Sequence, residues 1–447
     1  MNAAFPDVAR NSCRLGLFAT AIIVLIALPV LSADGLPDRT KVTYITSEGI
    51  GRIAVAIRSP SAPRFDEGAP IVINVSGFFT SSSGFKVELD PDALGAVYVT
   101  YLWPGMTDAR SGIASEGTYD YGGPDCLAAL RDVVRFAVGE GTDIDGRTID
   151  ALVDVAVHYD VAGLYAFSHS GIAATNLLAL HGEDLQRIDF FVGRENPTID
   201  TLYPLEPGYW DDESGRPVHN PFYDPAGYTP TSIAIDYSTV YWLQSAEYPE
   251  GRPAFRAASE GGEDFICSFK HPQMYGKDYW SSDLLQALLD SGALTRETWP
   301  DELATPDEAA ANWPFRETVD SYPRLAQVLP DLRVMLVFAS ADHVQTAIDK
   351  PHIHQAYDGF HHTAGLWCRL NPDRSYVDAF IGGTESGTAI PDNPANREPP
   401  TWMAIRSWGY ARPGGVNTNV LVPLAAVAEM LDRTYHDRWE PDLNAII

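Results

Sequence analysis

The chain has 447 residues, is 45% hydrophobic and carries 31 Lys and Arg against 60 Asp and Glu, a formal net charge of −29. Such a chain buries a large core rather than staying disordered, and so acidic a surface excludes a role built on holding nucleic-acid phosphates. No block of like charge interrupts the sequence, which favours a solubilising surface over an acidic recognition patch.

At the start, Arg10 and Arg14 precede an uncharged apolar run from Leu15 to Leu31, closed by the small residues Ser32 and Ala33. Residues 1–33 therefore read as a signal peptide or, given the length of the run, a signal anchor. The rest of the chain is expected to be secreted, periplasmic or at the cell surface, with membrane attachment through this segment alone. Beyond Cys13 there remain Cys126, Cys267 and Cys368, without CxxC spacing. That excludes a dense disulfide framework and a zinc site of the CxxC kind, while an oxidising compartment allows one disulfide among the three.

Val42–Ile45 and Ile53–Arg58 are β-branched runs that predict an opening hairpin, the second alternating enough for a half-buried edge strand. Ile71–Val75 and Val97–Leu102 are short apolar runs between Gly, Pro and Ser, as in strands buried on both faces. Helical spacing then covers Gly122–Val138 and Thr148–Val157. Val161–Phe167 predicts a strand, Gly171–His181 a helix and Ile188–Val192 another strand, an alternation that implies a parallel sheet with right-handed crossovers.

Between residues 196 and 325 periodicity weakens and aromatic pairs accumulate, for example Tyr209-Trp210 and Tyr279-Trp280. This reads as an insertion over one edge of the sheet, its aromatics lining a substrate pocket or packing as its own core. A strand returns at Val334–Ala339, followed by a helical stretch to about Leu366, a last strand Trp367–Val377 and a closing helix Val422–His436. The core is thus expected in two parts, 34–195 and 326–447.

The strand–helix junction Ala166-Phe-Ser168-His-Ser170-Gly171 carries the chemistry. A serine on such a sharp turn is lifted above the sheet, and the turn demands small residues two before and two after it, here Ala166 and Ser170. With Ser170 as nucleophile the second small position would fall on Ile172. The bland alternative is that the serines only cap the helix.

The segment resembles the nucleophile elbow of the α/β-hydrolase fold superfamily, with Ala and Ser in place of two glycines. The likeness covers most of 40–195 and 330–437 and implies a mostly parallel sheet with helices on both faces and a cap insertion. It also implies a serine hydrolase of esterase or lipase type, without a cofactor, acting on a small or lipid-like ester through an acyl-enzyme. Ser76-Gly77-Phe78 resembles the oxyanion turn, so that the Phe78 and His169 backbone N–H groups would hold the oxyanion. Asp342 matches the triad acid, with Glu195 in reserve.

The family's histidine, expected after the last strand, is missing, because no histidine lies between His362 and His436. The base is sought among His343, His352, His354, His361 and His362, with His361 favoured by sequence distance, and His436 on the closing helix is a further candidate. If none serves, the chain is a non-catalytic binding or structural protein on the same fold. A metal reading of the histidine group fails for want of HExxH, and the calcium-like Asp143-Ile-Asp145-Gly146 lacks the closing glutamate of an EF-hand.

Overall fold

The computed structural model describes residues 39–77, 84–85, 87–120, 122–198, 209–218, 235–243, 252–257, 265–266, 290, 292, 295–297, 306–338, 351–381 and 418–439. Asp342, Phe78, His343, Cys267 and the N-terminal apolar run lie outside these residues.

The opening hairpin forms as expected, with β1 (Thr40–Ser47) antiparallel to β2 (Gly51–Arg58) in full register. Of the two, β1 is the edge; β2 lies inside the sheet and is buried along most of its length. Its alternation was too shallow to mark a one-sided strand, since Ala54 and Ala56 fill the second face. β3 (Ala69–Val75) and β4 (Val97–Tyr101) are buried throughout, which is what uninterrupted Val and Ile demand of strands covered on both sides.

Between them stands the short helix α1 (Pro91–Leu94), capped by the Asp90 side chain and ended by Gly95. α2 (Pro124–Ala137) begins on a proline, whose missing N–H costs nothing there. Asp120 accepts from the N–H groups of Gly123, Asp125 and Cys126 at that end. The helix expected over Thr148–Val157 is only a single 3₁₀ turn, Ile149–Leu152, and β5 (Val157–Phe167) has already begun where that pattern ended. Pairing with the sheet outcompetes a helix shorter than three turns.

β5 leads straight into α3 (Ser170–His181) and then β6 (Phe190–Arg194). The segment that follows holds two small sheets separate from the main one: β7 (Tyr209–Asp211) with β8 (Arg216–Val218), and β9 (Ile235–Leu243), β10 (Arg252–Ala257) and β11 (Phe265–Ile266). α4 (Pro306–Asn312) and α5 (Ser321–Val328) lead back to β12 (Arg333–Val337).

After β12, α6 (Pro351–Tyr357) runs into a wider π-type turn, Asp358–Thr363. The last strand, β13 (Trp367–Leu370), is shorter than expected; the chain turns at Asn371 and forms α7 (Arg374–Ile381). Asn371 adopts a left-handed φ of 57°, which Asn tolerates better than most residues and which ends the strand. α8 (Thr418–Tyr435) closes the fold with Val422, Leu424, Val427 and Leu431 buried.

The main sheet has the order β1-β2-β4-β3-β5-β6-β12-β13. β2 is antiparallel to its neighbours β1 and β4, and the pairs from β4 to β13 are parallel. Six consecutive parallel strands therefore present their C-terminal ends at one edge, the edge where such sheets place their ligands.

Candidate active site

Ser168 stands at that edge, directly after β5. Its φ is 61°, a left-handed value that costs a non-glycine residue free energy and persists only where the surroundings impose it. The imposition is visible. The Ser168 N–H donates to the Arg194 carbonyl at 2.8 Å, and its carbonyl accepts from Gly171 N at 3.0 Å to start α3.

Asn196 clamps the other side of the turn. Its Nδ2 donates to the carbonyls of Ala166 at 3.2 Å, Ser168 at 2.6 Å and Arg194 at 3.1 Å. Gly171 makes room for that amide, because a Cβ there would stand 2.1 Å from Asn196 Cγ. Ser170 Oγ turns away and donates to the Phe167 carbonyl at 2.8 Å, so the second serine stabilises the junction, and Ser168 is the less buried of the pair. An eight-stranded sheet of this order with a strained serine between its fifth strand and the following helix decides the architecture. This is the α/β-hydrolase fold.

No family model and no curated protein matches this α/β-hydrolase-fold chain. Among solved structures it is similar to fungal esterases from Rhizomucor miehei, with 12% identity and a TM-score of 0.43 over 93% of this chain and 89% of that one. It is also similar to brefeldin A esterase, a bacterial homologue of human hormone-sensitive lipase, with 14% identity and a TM-score of 0.35 over 78% and 71%. An esterase from Pseudomonas putida gives 10% identity and 0.38 over 90% and 83%. The fold assignment rests on strand order and register, not on these values.

Ser76 and Gly77 directly follow β3. Ser76 Oγ donates to the Tyr101 carbonyl at 2.8 Å, and the indole N–H of Trp103 is shared between the carbonyls of Ser76 and Gly77, both at 3.1 Å. These bonds pin the turn up to Gly77, and Phe78 comes next. His169 is buried, and its ring Nδ1 lies 3.4 Å from Ser168 Oγ.

The histidines separate into two groups. His361 hydrogen-bonds through Nδ1 to the Leu366 carbonyl at 3.2 Å, immediately before β13. In the sheet register Trp367 is level with Arg333, Phe190 and Gly163, so Ser168 lies five residues further along, about 16 Å at roughly 3.3 Å per residue. The structure does not bring His361 to Ser168. Sequence distance from the acid was a poor guide, because α6 carries the chain back down the sheet before β13 starts.

His436 is exposed and follows Tyr435, whose ring meets His158 near the start of β5, again at the far edge. His362 is exposed and bonded to Asp358 at 2.9 Å.

His352, in the first turn of α6, is fully buried, and its Nε2 lies 3.4 Å from Glu195 Oε2. Glu195 directly follows β6, is 7% exposed and has a left-handed φ of 47°. Its N–H donates to the Val337 carbonyl at 2.8 Å. The reserve acid and one of the six candidate histidines thus form a contact that sequence reasoning left unpaired, and Asn196 went unnoticed altogether. The available signal was the polar pair Glu195-Asn196 at the end of an otherwise apolar strand.

Where the family's histidine would be sought, after β13, the chain instead places buried ion pairs. Arg369 is paired with Asp373 and lies 3.5 Å from Glu429, whose carboxylate also accepts from Arg433 Nε at 2.8 Å and from Asp373 N at 2.6 Å. Burial pushes the Glu429 carboxyl up and the nearby Arg369 opposes it.

No group of His, Cys, Asp and Glu among the described residues is arranged to hold a metal ion. The Asp143 turn is a hydrogen-bonded loop: burial works against its charge, but bonds from Arg147, Thr43 and Asp145 prevail and hold its carboxyl low. Cys126 is a free, buried thiol, and Cys368 is buried on β13.

Proposed function

We propose that this protein is an exported serine hydrolase acting on esters, with Ser168 as nucleophile. The observation that carries the reading is the strained conformation of Ser168 at the C-terminal edge of the sheet, held by Arg194, Asn196 and the start of α3. Strain of this kind is kept where the displaced side chain is used, and an isolated helix cap would not require it.

In this reading Ser168 Oγ attacks the ester carbonyl, and backbone N–H groups of His169 and Phe78 hold the oxyanion. The alkoxide leaves with a proton, and water releases the acid from the acyl-enzyme. Esters are preferred to amides because the sequence of the inserted segment is rich in aromatic residues. The apolar run before Ala33 supports export.

Incubation with a fluorophosphonate probe is expected to label the wild-type chain and not Ser168→Ala, and short-chain p-nitrophenyl esters should be hydrolysed by the first alone. A wild-type chain that neither labels nor hydrolyses such esters sinks the reading and leaves a binding protein on a hydrolase fold.

A further inference from the structure

We infer that His352 is the general base for Ser168 and that Glu195, at the end of β6, is the carboxylate that orients it, an assignment that rests on Ser168 being the nucleophile.

Position is the first argument. Phe167 is level with Arg194 across the β5–β6 ladder, so Ser168 and Glu195 leave neighbouring strands at the same height, about 5 Å apart in backbone. Asn196 joins them, being covalently next to Glu195 and hydrogen-bonded to the Ser168 carbonyl at 2.6 Å. His352 is fixed against the same loop: its Nε2 faces Glu195 Oε2, and one turn later Gln355 Oε1 accepts from Thr198 Oγ1 at 2.6 Å.

Chemistry is the second. A carboxylate facing Nε2 selects the tautomer with a proton there and leaves the lone pair on Nδ1. In His352 that Nδ1 is buried and has no hydrogen-bond partner. Buried polar atoms are rarely left so, and an exception calls for a use. Glu195, like Ser168, is a non-glycine residue held at left-handed φ, so backbone strain marks both ends of the arrangement.

The placement of other described candidates is the third. His361 and His436 lie at the opposite edge of the sheet, and the site after β13 is filled by Arg369, Asp373, Glu429 and Arg433. His169 touches Ser168 Oγ as its chain neighbour, and its N–H has the oxyanion role.

The proton account closes. As Oγ bonds to the carbonyl carbon, His352 Nδ1 takes its proton. The imidazolium returns that proton to the alkoxide as the ester C–O bond breaks. Water then gives a proton to Nδ1 and its oxygen to the acyl carbon, and the same proton restores the serine. Catalytic hydrogen bonds of this kind tighten when substrate binds.

The test uses the full chain and p-nitrophenyl butyrate, with fluorophosphonate labelling as a second readout. His352→Gln is expected to lower kcat/KM and the labelling rate by about 10³-fold or more. Glu195→Gln is expected to lower both by about 10²-fold or more and to alter the pH profile of the labelling rate, which a purely structural role would leave unchanged. Thermal unfolding of each variant separates loss of chemistry from loss of fold.

Should His352→Gln not fold, Glu195→Gln and the wild-type pH profile still decide. A wild-type labelling rate that is flat between about pH 5 and 8, where an imidazole titrates, overturns the assignment. So does activity within threefold of wild type in a folded Glu195→Gln or His352→Gln. Loss in His169→Gln or Asp342→Asn with none in the His352 and Glu195 variants also overturns it. Labelling of wild type that survives in His352→Gln removes this assignment alone, whereas absence of labelling in wild type removes the nucleophile.

Discussion

The loops after β6 and after β13 lie at the same edge of one sheet and both bury charged side chains, yet they are built differently. After β13 the charges are matched: Arg369 and Arg433 face Asp373 and Glu429, and the Asp373 backbone N–H completes the Glu429 carboxylate. After β6 a carboxylate and an imidazole meet at 3.4 Å with one ring nitrogen left over. Both loops hold a non-glycine residue at left-handed φ, Glu195 in one and Asn371 in the other, so strain alone does not separate them. The buried ion pairs fasten α7 and α8 to the sheet, whereas a buried pair with a group to spare has the composition of a working site.

The largest expected effect tests the matched side. Glu429→Ala removes the fully buried carboxylate shared by Arg369 and Arg433, leaving them only the half-buried Asp373, and should destabilise by about 3–5 kcal/mol, read as a lowered denaturation midpoint. Activity per folded molecule should hold. Near-normal stability would show that the network does not fasten the fold, and loss of activity in folded protein would erase the distinction between the loops.

A smaller loss is expected from Gly171→Ala. The new methyl group would meet Asn196, and relieving it should cost about 1–3 kcal/mol while loosening the clamp on the Ser168 carbonyl. Stability and activity should fall together here, in contrast with Glu429→Ala. Unchanged stability would mean that Asn196 gives way freely and does not hold the elbow.

The smallest effect concerns a half-buried carboxylate that has the Asp160 charge nearby. Asp189, just before β6, accepts from the Ala162 N–H at 2.9 Å, and burial raises its carboxyl to about 6 against that bond. Because its folded value is raised, the stabilising contribution of the protonated form is present below about pH 4 and lost as pH rises to about 6. Asp189→Asn, which keeps an acceptor for Ala162, should therefore be more stable than wild type by about 1–2 kcal/mol at pH 7 and equal at pH 4. Equal midpoints at both pH values would show that this carboxylate is not desolvated.

Much of this architecture is written locally. Ile71–Val75 and Val97–Tyr101 have no polar face to turn to water, so they become central strands wherever the sheet forms. Ala166, Ser170 and Gly171 around Ser168 admit a sharp strand–helix turn because their side chains are small. These are properties of neighbours along the chain, and periodicity and residue size reveal them. Thr148–Val157 shows the limit, since a helical pattern of that length gives only a 3₁₀ turn and its last residue is taken up by pairing with β3.

Which histidine meets which carboxylate is a different kind of fact. His352 and Glu195 are 157 positions apart, and their meeting depends on β12 lying beside β6 and on α6 starting at the C-terminal edge. Spacing from a known motif pointed to His361, which the same helix carries to the far edge. The sequence by itself determined the strands, the elbow and the candidate nucleophile, because each is set by sterics and burial over a few residues. Tertiary structure alone decided the partners of that nucleophile, because a buried polar pair is defined by the packing of distant segments and leaves no local period to read.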